Sequence, residues 1–227
     1  MIINGINLTN INVYDASIIT QNLAVWIDAD NASSYPGTGT TITDLSGNGN
    51  TQNLALASQY TVLNGVKCFN CIGNDIQAAV TGPVLPTTGF TYIVWARMRS
   101  ETADYRTLLR SLPDDHALLM QINNNNLGMW DNNTNAFYPA GYTVESLANV
   151  WAQWAVTGDS SGQTFYINGV QVGTTVKTAA GNSHKYLGGL TTGQSFGYVA
   201  NMELYTAKLT QIQIQMNYYN LRGRFGV

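Results

Sequence analysis

The stretch that decides the fold is Trp151 to Gly173, which reads WAQWAVTGDSSGQTFYINGVQVG. Its side chains alternate between two faces, break at a glycine-containing turn, and alternate again up to Asn168-Gly169. An Asn-Gly pair between alternating runs is a strong hairpin signal, because both central residues of a type I′ turn need positive φ. Three antiparallel strands in about 23 residues cannot bury an apolar face alone, so we expect the rest of the chain to supply an opposing sheet.

Other parts of the chain carry the same kind of signal, since short runs with strand-type residues are separated by turn residues. They predict an all-β fold, a two-sheet antiparallel sandwich, with strands at 23–27, 55–63, 66–72, 76–80, 90–98, 107–112, 117–122, 127–130, 185–190 and 197–205.

The C-terminal segment predicts one amphipathic helix over 210–222. Thr210 followed by Gln213 has the spacing of a capping box, and Gly223 is placed to end the helix. An apolar stripe at helical spacing is expected to face the sandwich, and it consists of Ile212, Met216 and Tyr219.

Composition describes a folded, weakly charged protein. Hydrophobic residues make up 44% of the 227 residues, charged residues 10%, and the formal net charge is −3. The few basic residues are scattered, so we expect no nucleic-acid partner. No apolar run reaches the roughly 18 residues of a membrane span, and Met1 to Val13 does not resemble a secretory signal, so no membrane insertion is expected.

Two short motifs suggest chemistry, but their contexts argue against it. Cys68 and Cys71 form a C-x-x-C on a predicted strand, where residues three apart face opposite sides, so we expect two reduced thiols. Residues 193–197 match the G-x-S-x-G nucleophile elbow, but no helix follows and no histidine occurs after Ser195. We interpret that match as accidental.

The hairpin stretch also carries a family resemblance. Trp151, residues 155–157, residues 165–169 and Val172-Gly173 resemble the hairpins of laminin-G-like domains in the concanavalin A-like lectin/glucanase superfamily. The resemblance implies a jelly-roll sandwich over 23–227. Residues 1–22 lie outside it, and we expect them to form an N-terminal arm or an extra edge strand.

The ends of this domain resemble a narrower group. Residues 23–56 and 196–227 are similar to the opening and closing segments of such domains in phage and large-virus structural proteins. This resemblance implies a virion context.

A binding site is predicted where aromatic residues meet a loop, in the segment 131–142. Sugar recognition needs a flat aromatic face and planar polar groups, and loops at the end of a rigid sandwich often carry binding residues. The candidate carbohydrate-binding residues are Trp130, Asp131, Asn132, Tyr138 and Tyr142. The alternative is that these side chains only close one end of the core.

No cofactor is expected, with calcium as the one alternative. Asp28-Ala29-Asp30 begins like a calcium loop, but the residues that follow do not fit an EF-hand. A calcium site assembled from distant loops would use Asp28, Asp30 or Asp75, and the alternative is that these carboxylates bond to turn backbone.

The chain is predicted not to be an enzyme. Laminarinase-type members of the superfamily need a close pair of carboxylates. Of Glu101, Glu145 and Glu203, only Glu101 has an acid nearby, Asp104, and that pair lies at a predicted turn.

Three functional hypotheses follow. The preferred one is a non-enzymatic virion structural protein on the virion surface, synthesised in the host cytoplasm and oligomeric in the assembly. Its expected partners are other virion proteins of the capsid or tail, together with host-surface glycans. The alternatives are a free carbohydrate-binding lectin or adhesion module and, third, a glycoside hydrolase of the glucanase type.

Overall fold

The computed structural model describes residues 2–3, 6–7, 18–100, 105–113, 117–122, 125–189 and 194–227. Strands dominate these residues, and an α-helix, α1, covers Gln211–Phe225. Numbered along the chain, the strands are β1 Ile2–Ile3, β2 Ile6–Asn7, β3 Leu23–Asp28, β4 Thr41–Ile42, β5 Gln52–Leu54, β6 Tyr60–Leu63, β7 Val66–Asn70, β8 Ile76–Ala78, β9 Phe90–Met98, β10 Tyr105–Leu112, β11 Ala117–Ile122, β12 Asn126–Asp131, β13 Ala136–Thr143, β14 Trp151–Asp159, β15 Gly162–Ile167, β16 Val170–Thr175, β17 Ser183–Leu187 and β18 Gly197–Tyr205.

Two large antiparallel sheets form the sandwich. We call the sheet with strand order β13-β12-β11-β10-β17-β8-β5-β4 the front sheet. The back sheet has the order β16-β15-β14-β9-β18-β7-β6, and β3 also pairs with β18. The predicted all-β, two-sheet antiparallel jelly-roll with one C-terminal helix is confirmed. Strands β1 and β2 pair with each other in a small sheet of their own.

The predicted hairpins lie at the edge of the back sheet. β14 pairs with β9 on one side and β15 on the other, and β15 pairs with β16. Asn168 has φ 52° and Gly169 has φ 77°, as the type I′ turn requires. This meander therefore forms as its alternation and its Asn-Gly turn predict.

The main core lies between the sheets. Alternation along each strand sends every second side chain inward. The back sheet contributes Tyr92, Val94, Trp154 and Phe165, and the front sheet contributes Ile76, Leu127, Met129 and Leu187. The Trp154 indole N–H donates to the carbonyl oxygen of Ala96 at 3.2 Å, so this buried ring keeps a hydrogen-bond partner.

Helix α1 packs on the outer face of the back sheet. Phe225 stacks on Trp95 with ring centroids 4.1 Å apart, and Ile214 is fully buried beside Tyr205. The predicted inward stripe is wrong, because its three residues are 66%, 51% and 54% exposed, in the order Ile212, Met216 and Tyr219. A second stripe on the opposite side of the helix makes the contact instead. No helix among the described residues is long and apolar enough to span a bilayer.

The two ends of α1 differ in how well the sequence predicts them. The capping box is present, since the Thr210 side chain accepts from the Gln213 N–H and the Gln213 side chain accepts from the Thr210 N–H. The predicted end at Gly223 is wrong. The helix continues to Phe225, and Gly226 closes it in the left-handed conformation at φ 71°.

Candidate functional site

The outer faces of the two sheets differ in whether a helix packs against them. On the back sheet that face is apolar and lies beneath α1. The front sheet carries no α-helix within the part of the chain that the structure describes. Its outward side chains are therefore strand residues that are not covered by α1 and that can meet a ligand.

The strand register of the front sheet forms a single row across the strands, which we call the outer row. Residues directly opposite each other on neighbouring strands point to the same face. Trp130 alternates with the core residue Met129, and Gln77 lies between the buried residues Ile76 and Ala78, so the row faces outward. Its members, from β4 to β13, are Thr41, Asn53, Gln77, Tyr186, Arg110, Trp130 and Phe137, and the register passes from Arg110 to Trp130 through position 117 of β11.

One end of this outer row is aromatic. The partly exposed Trp130 lies opposite Phe137, and the ring of Tyr105 meets the indole edge-on with centroids 6.1 Å apart. Tyr105 is itself 37% exposed. Three aromatic rings thus share one patch at the surface, and such rings present flat apolar faces to a ligand.

The other end is polar and slightly concave. A cavity of about 250 Å³ lies between β5, β8 and β17, and the polar residues in its lining are Asn53, Gln77 and Lys185. The Lys185 Nζ donates to the carbonyl oxygen of Ala78 at 3.0 Å and lies 5.9 Å from the centroid of the Tyr186 ring. These groups offer amide donors, amide acceptors and one ammonium in one place.

Arg110 lies in the middle of the outer row. It is 9% exposed, directly opposite Tyr186, and loss of hydration lowers the pKa of its guanidinium from the ordinary value. The row therefore combines aromatic faces, amides and positive charge.

Of the five predicted site residues, Asp131 and Tyr138 meet at the Thr134 hydroxyl, which lies 2.9 Å from the Asp131 carboxylate and 3.2 Å from the Tyr138 hydroxyl, whereas Trp130 faces the other side of the sheet. Their segment is not a loop as predicted, because 136–143 forms β13. Trp130 faces outward on β12, whereas Tyr138 lies opposite the core residue Met129 and packs against the core, as does Tyr142. Asp131 is buried, accepts from Asn133 N–H at 2.9 Å and from the Thr134 hydroxyl at 2.9 Å, and forms an ion pair with Lys177 at 3.2 Å; the exposed Asn132 lies in the same turn.

The candidate calcium ligands are distributed over two places. Arg224 binds both carboxylate oxygens of Asp28, at 2.7 and 2.8 Å, and Lys67 binds Asp30 at 2.8 Å. The Lys67 ammonium holds the pKa of the Asp30 carboxyl below its ordinary value. Asp75 instead accepts from Gln77 at 2.9 Å. Within the described ranges, no three potential metal ligands come together.

The two motif residues are buried. Cys68 packs beneath α1 and Cys71 packs between the sheets, so the thiols face opposite sides of the back sheet as predicted, and both are free. Burial raises the pKa of the Cys68 thiol to about 11 and that of Cys71 well above its ordinary value. The Ser195 hydroxyl is fully buried and accepts from Gly73 N–H at 2.7 Å, so it is not exposed as a nucleophile would be.

The acidic residues differ widely in environment. Glu145 is exposed in a 3₁₀ turn, and Glu101 with Asp104 lies outside the described residues. Glu203 is fully buried, and burial raises the pKa of its carboxyl to about 8. Its Oε2 accepts from the Asn217 amide at 2.7 Å and from the Tyr205 hydroxyl at 3.2 Å, which ties α1 to the back sheet.

Sequence reasoning missed most of the outer row. It identified Trp130 but none of Asn53, Gln77, Tyr186 and Arg110. Each lies at an outward position of an alternating strand, which the sequence could suggest. Their placement in one row follows from strand order and register, which a single sequence does not contain.

Comparison with known families gives a match over most of the chain. A family model described as the concanavalin A-like lectin/glucanases superfamily matches residues 72–215. No curated protein matches the chain in sequence.

Solved structures with this fold include enzymes and toxin domains. A Trypanosoma rangeli sialidase matches with a TM-score of 0.66 and 18% identity, over 92% of this chain and 34% of the sialidase. The ligand binding domain of botulinum neurotoxin serotype D in complex with N-acetylneuraminic acid matches with a TM-score of 0.64 and 13% identity, over 88% of this chain and 51% of that domain. The binding domain of botulinum neurotoxin DC in complex with rat synaptotagmin II matches with a TM-score of 0.62 and 14% identity, over 89% of this chain and 52% of that domain. The chain thus spans about a third of the sialidase and half of the toxin domains, and the likeness concerns the fold.

The prediction that the chain is not an enzyme is contradicted by these matches, which include sialidases and a mutant sialidase displaying trans-sialidase activity. That prediction used the absence of a laminarinase-type carboxylate pair. Sialidases act through a tyrosine nucleophile, so a missing pair excludes one class of glycosidase mechanism and not the others.

Proposed function

Since the chain belongs to the concanavalin A-like lectin/glucanase superfamily, we propose that it binds carbohydrate on the outer face of its front sheet. The observation that carries this proposal is the outer row, in which the rings of Tyr186 and Trp130 share one face of the front sheet with the amides of Asn53 and Gln77. The sheet backbone fixes the spacing of these groups before any ligand arrives.

The chemistry of the row suits a sugar. One face of a pyranose ring is a patch of C–H groups, which packs on an aromatic ring, while its hydroxyls need planar donors and acceptors. Trp130 offers the first kind of contact, and Asn53 and Gln77 offer the second. A ligand spanning the row would contact both ends of the sheet.

We expect Trp130→Ala to weaken glycan binding at least tenfold, which corresponds to about 1.4 kcal/mol, because it removes the largest ring of the row. A glycan array identifies the ligand, and isothermal titration calorimetry then compares the variants. Tyr219→Ala is the matched control, since Tyr219 is 54% exposed on α1, at the opposite side of the sandwich. Equal losses in both variants, or no binding by the native chain to any glycan, would contradict the proposal.

The second candidate function is glycoside hydrolysis, which the sialidase matches favour. Those matches cover about a third of the length of the sialidases, so sialidase activity of this chain is a proposal. Release of a fluorophore from a sialoside and from β-glucosides measures it directly. Hydrolysis of either substrate by the native chain would support an enzymatic function. Binding of the glycan without hydrolysis would indicate that the chain only recognises carbohydrate.

A location on the virion surface, with other virion proteins as partners and host-surface glycans as ligands, is also our proposal. It is supported by the resemblance of 23–56 and 196–227 to segments of phage and large-virus structural proteins. The expected result is that the chain co-sediments with intact particles and is accessible to antibody on them. Its absence from purified particles would contradict this location.

A further inference from the structure

We propose that the cavity between β5, β8 and β17 is a subsite for one acidic sugar, whose carboxylate binds the ammonium of Lys185. This inference rests on the proposed carbohydrate function and specifies which class of sugar the polar end of the row selects. We call this cavity the Lys185 pocket; its polar lining is Asn53, Gln77 and Lys185.

The size of the Lys185 pocket limits the ligand. Its volume of about 250 Å³ is below the range of roughly 300–1,000 Å³ that is usual for pockets of drug-sized ligands. A pocket of this size suits a single sugar ring better than an oligosaccharide. The remaining units of a longer glycan would extend along the outer row towards Tyr186 and Trp130.

The position of Lys185 suits an anion. Its Nζ uses one of three donors on the Ala78 carbonyl oxygen at 3.0 Å, which holds the side chain in place and leaves two donors for a ligand. Within the described part of the chain, no carboxylate forms an ion pair with Lys185. An ammonium held at a pocket wall without a counter-charge favours a ligand that supplies one.

The neighbouring groups support the same choice. Asp75, a carboxylate that contacts the pocket lining, accepts from the Gln77 amide at 2.9 Å and is only 4% exposed, so it is not presented to a ligand. Arg110 lies one strand further along, opposite Tyr186, and is buried. Among the described residues that line the Lys185 pocket, Lys185 is therefore the charged one, although the whole chain has a net charge of −3.

A neutral sugar would hydrogen-bond the amides of Asn53 and Gln77 but would not form an ion pair with Lys185. Asn53 and Gln77 can hydrogen-bond the hydroxyls of any sugar, so they do not discriminate. Discrimination between acidic and neutral sugars depends on Lys185. The preference for an acidic sugar should also decrease at high salt, because the ion pair is partly exposed.

The test compares two acidic sugars, N-acetylneuraminic acid and glucuronic acid, with two neutral ones, N-acetylglucosamine and glucose, by calorimetric titration of the full chain. The native chain is expected to prefer an acidic sugar. Lys185→Gln should weaken the binding of that sugar about fivefold more than it weakens the binding of the neutral sugars. Lys208→Gln is the matched control, because it removes the same charge from the exposed ion pair with Asp159.

The outcomes separate this inference from the proposed function. If neutral and acidic sugars bind equally, or if Lys185→Gln and Lys208→Gln have equal effects, the acidic subsite is wrong while carbohydrate binding stands. If no sugar or longer glycan binds, both proposals are wrong. Lys185→Arg should restore the preference for the acidic sugar, since it returns the positive charge. The identity of the favoured acid distinguishes a sialic acid from a uronic acid.

Discussion

Replacing Glu203 by Gln is expected to raise the free energy of unfolding at pH 7 by about 3 kcal/mol. Glu203 is fully buried between the back sheet and α1, and burial raises the pKa of its carboxyl from an ordinary value near 4.5 to about 8. Asn217 and Tyr205 donate to its Oε2, and an amide oxygen at that position accepts the same two hydrogen bonds.

The direction in which stability changes with pH depends on whether the folded or the unfolded chain holds the Glu203 proton. Below pH 4.5 the carboxyl is protonated in both the folded and the unfolded chain, so it does not penalise folding. As the pH rises towards 8, the unfolded chain releases this proton while the folded chain retains it, and the native protein loses stability over this window. Glutamine does not titrate, so the stability of the Glu203→Gln variant should not decrease in this way as the pH rises.

Urea unfolding between about pH 5 and pH 9 measures the effect. The expected result is that the difference between Glu203→Gln and the native chain grows with pH and levels off above pH 8. Glu145→Gln is the control, because Glu145 is exposed. A difference that is constant with pH would show that Glu203 is not held protonated by burial.

Replacing Gly173 by Ala is expected to destabilise the protein by about 3 kcal/mol, at the upper end of the usual cost of overpacking. A Cβ at Gly173 would lie 1.9 Å from the carbonyl oxygen of Ala140. This contact joins β16 of the back sheet to β13 of the front sheet, and both are backbone segments, so neither can move aside cheaply.

The same substitution in α1 should have the opposite effect. A Cβ at Gly223 meets no atom within 4 Å, and the residue lies inside the helix, where Ala is favoured over Gly by about 1 kcal/mol. Thermal and urea unfolding of Gly173→Ala and Gly223→Ala compare the two glycines directly. Similar changes in both variants would contradict the close approach of β13 and β16.

The sequence predicts the strands best where alternation is regular. The predicted bounds of β9 and β18 agree with the structure, and so do the turn at Asn168-Gly169 and the capping box of α1. In each case the signal is local, because the residues that decide the structure are neighbours in the chain.

Two predictions were wrong because the deciding interaction is not local. Helix α1 has two apolar stripes, and the one that contains Ile214 and Phe225 is buried because Trp95 and Tyr205 lie beneath it. Strand β13 contains Pro139 and Gly141, which indicate a loop, yet pairing with β12 makes it a strand. The sequence of α1 does not indicate that Trp95 and Tyr205 lie beneath it, and the sequence of β13 does not indicate that it pairs with β12.

The candidate site illustrates the same limit. Trp130 is identifiable because it precedes a polar segment, but its companions on the outer row come from strands that are distant along the chain. Tyr186 of β17 lies opposite Gln77 of β8, which in turn lies opposite Asn53 of β5. These outward residues come together only when the strand order is known. A single sequence indicates that each faces outward but does not indicate that they share one row.

Carbohydrate binding to the outer row of the front sheet is tested most directly by observing the five tryptophans during titration with a glycan. Each indole N–H gives its own signal in a ¹H–¹⁵N correlation spectrum. We expect the Trp130 signal to shift with glycan concentration, while the signals of Trp95 and Trp154, which are fully buried, stay in place. A shift at Trp95 or Trp151 beneath α1, with Trp130 unchanged, would contradict it.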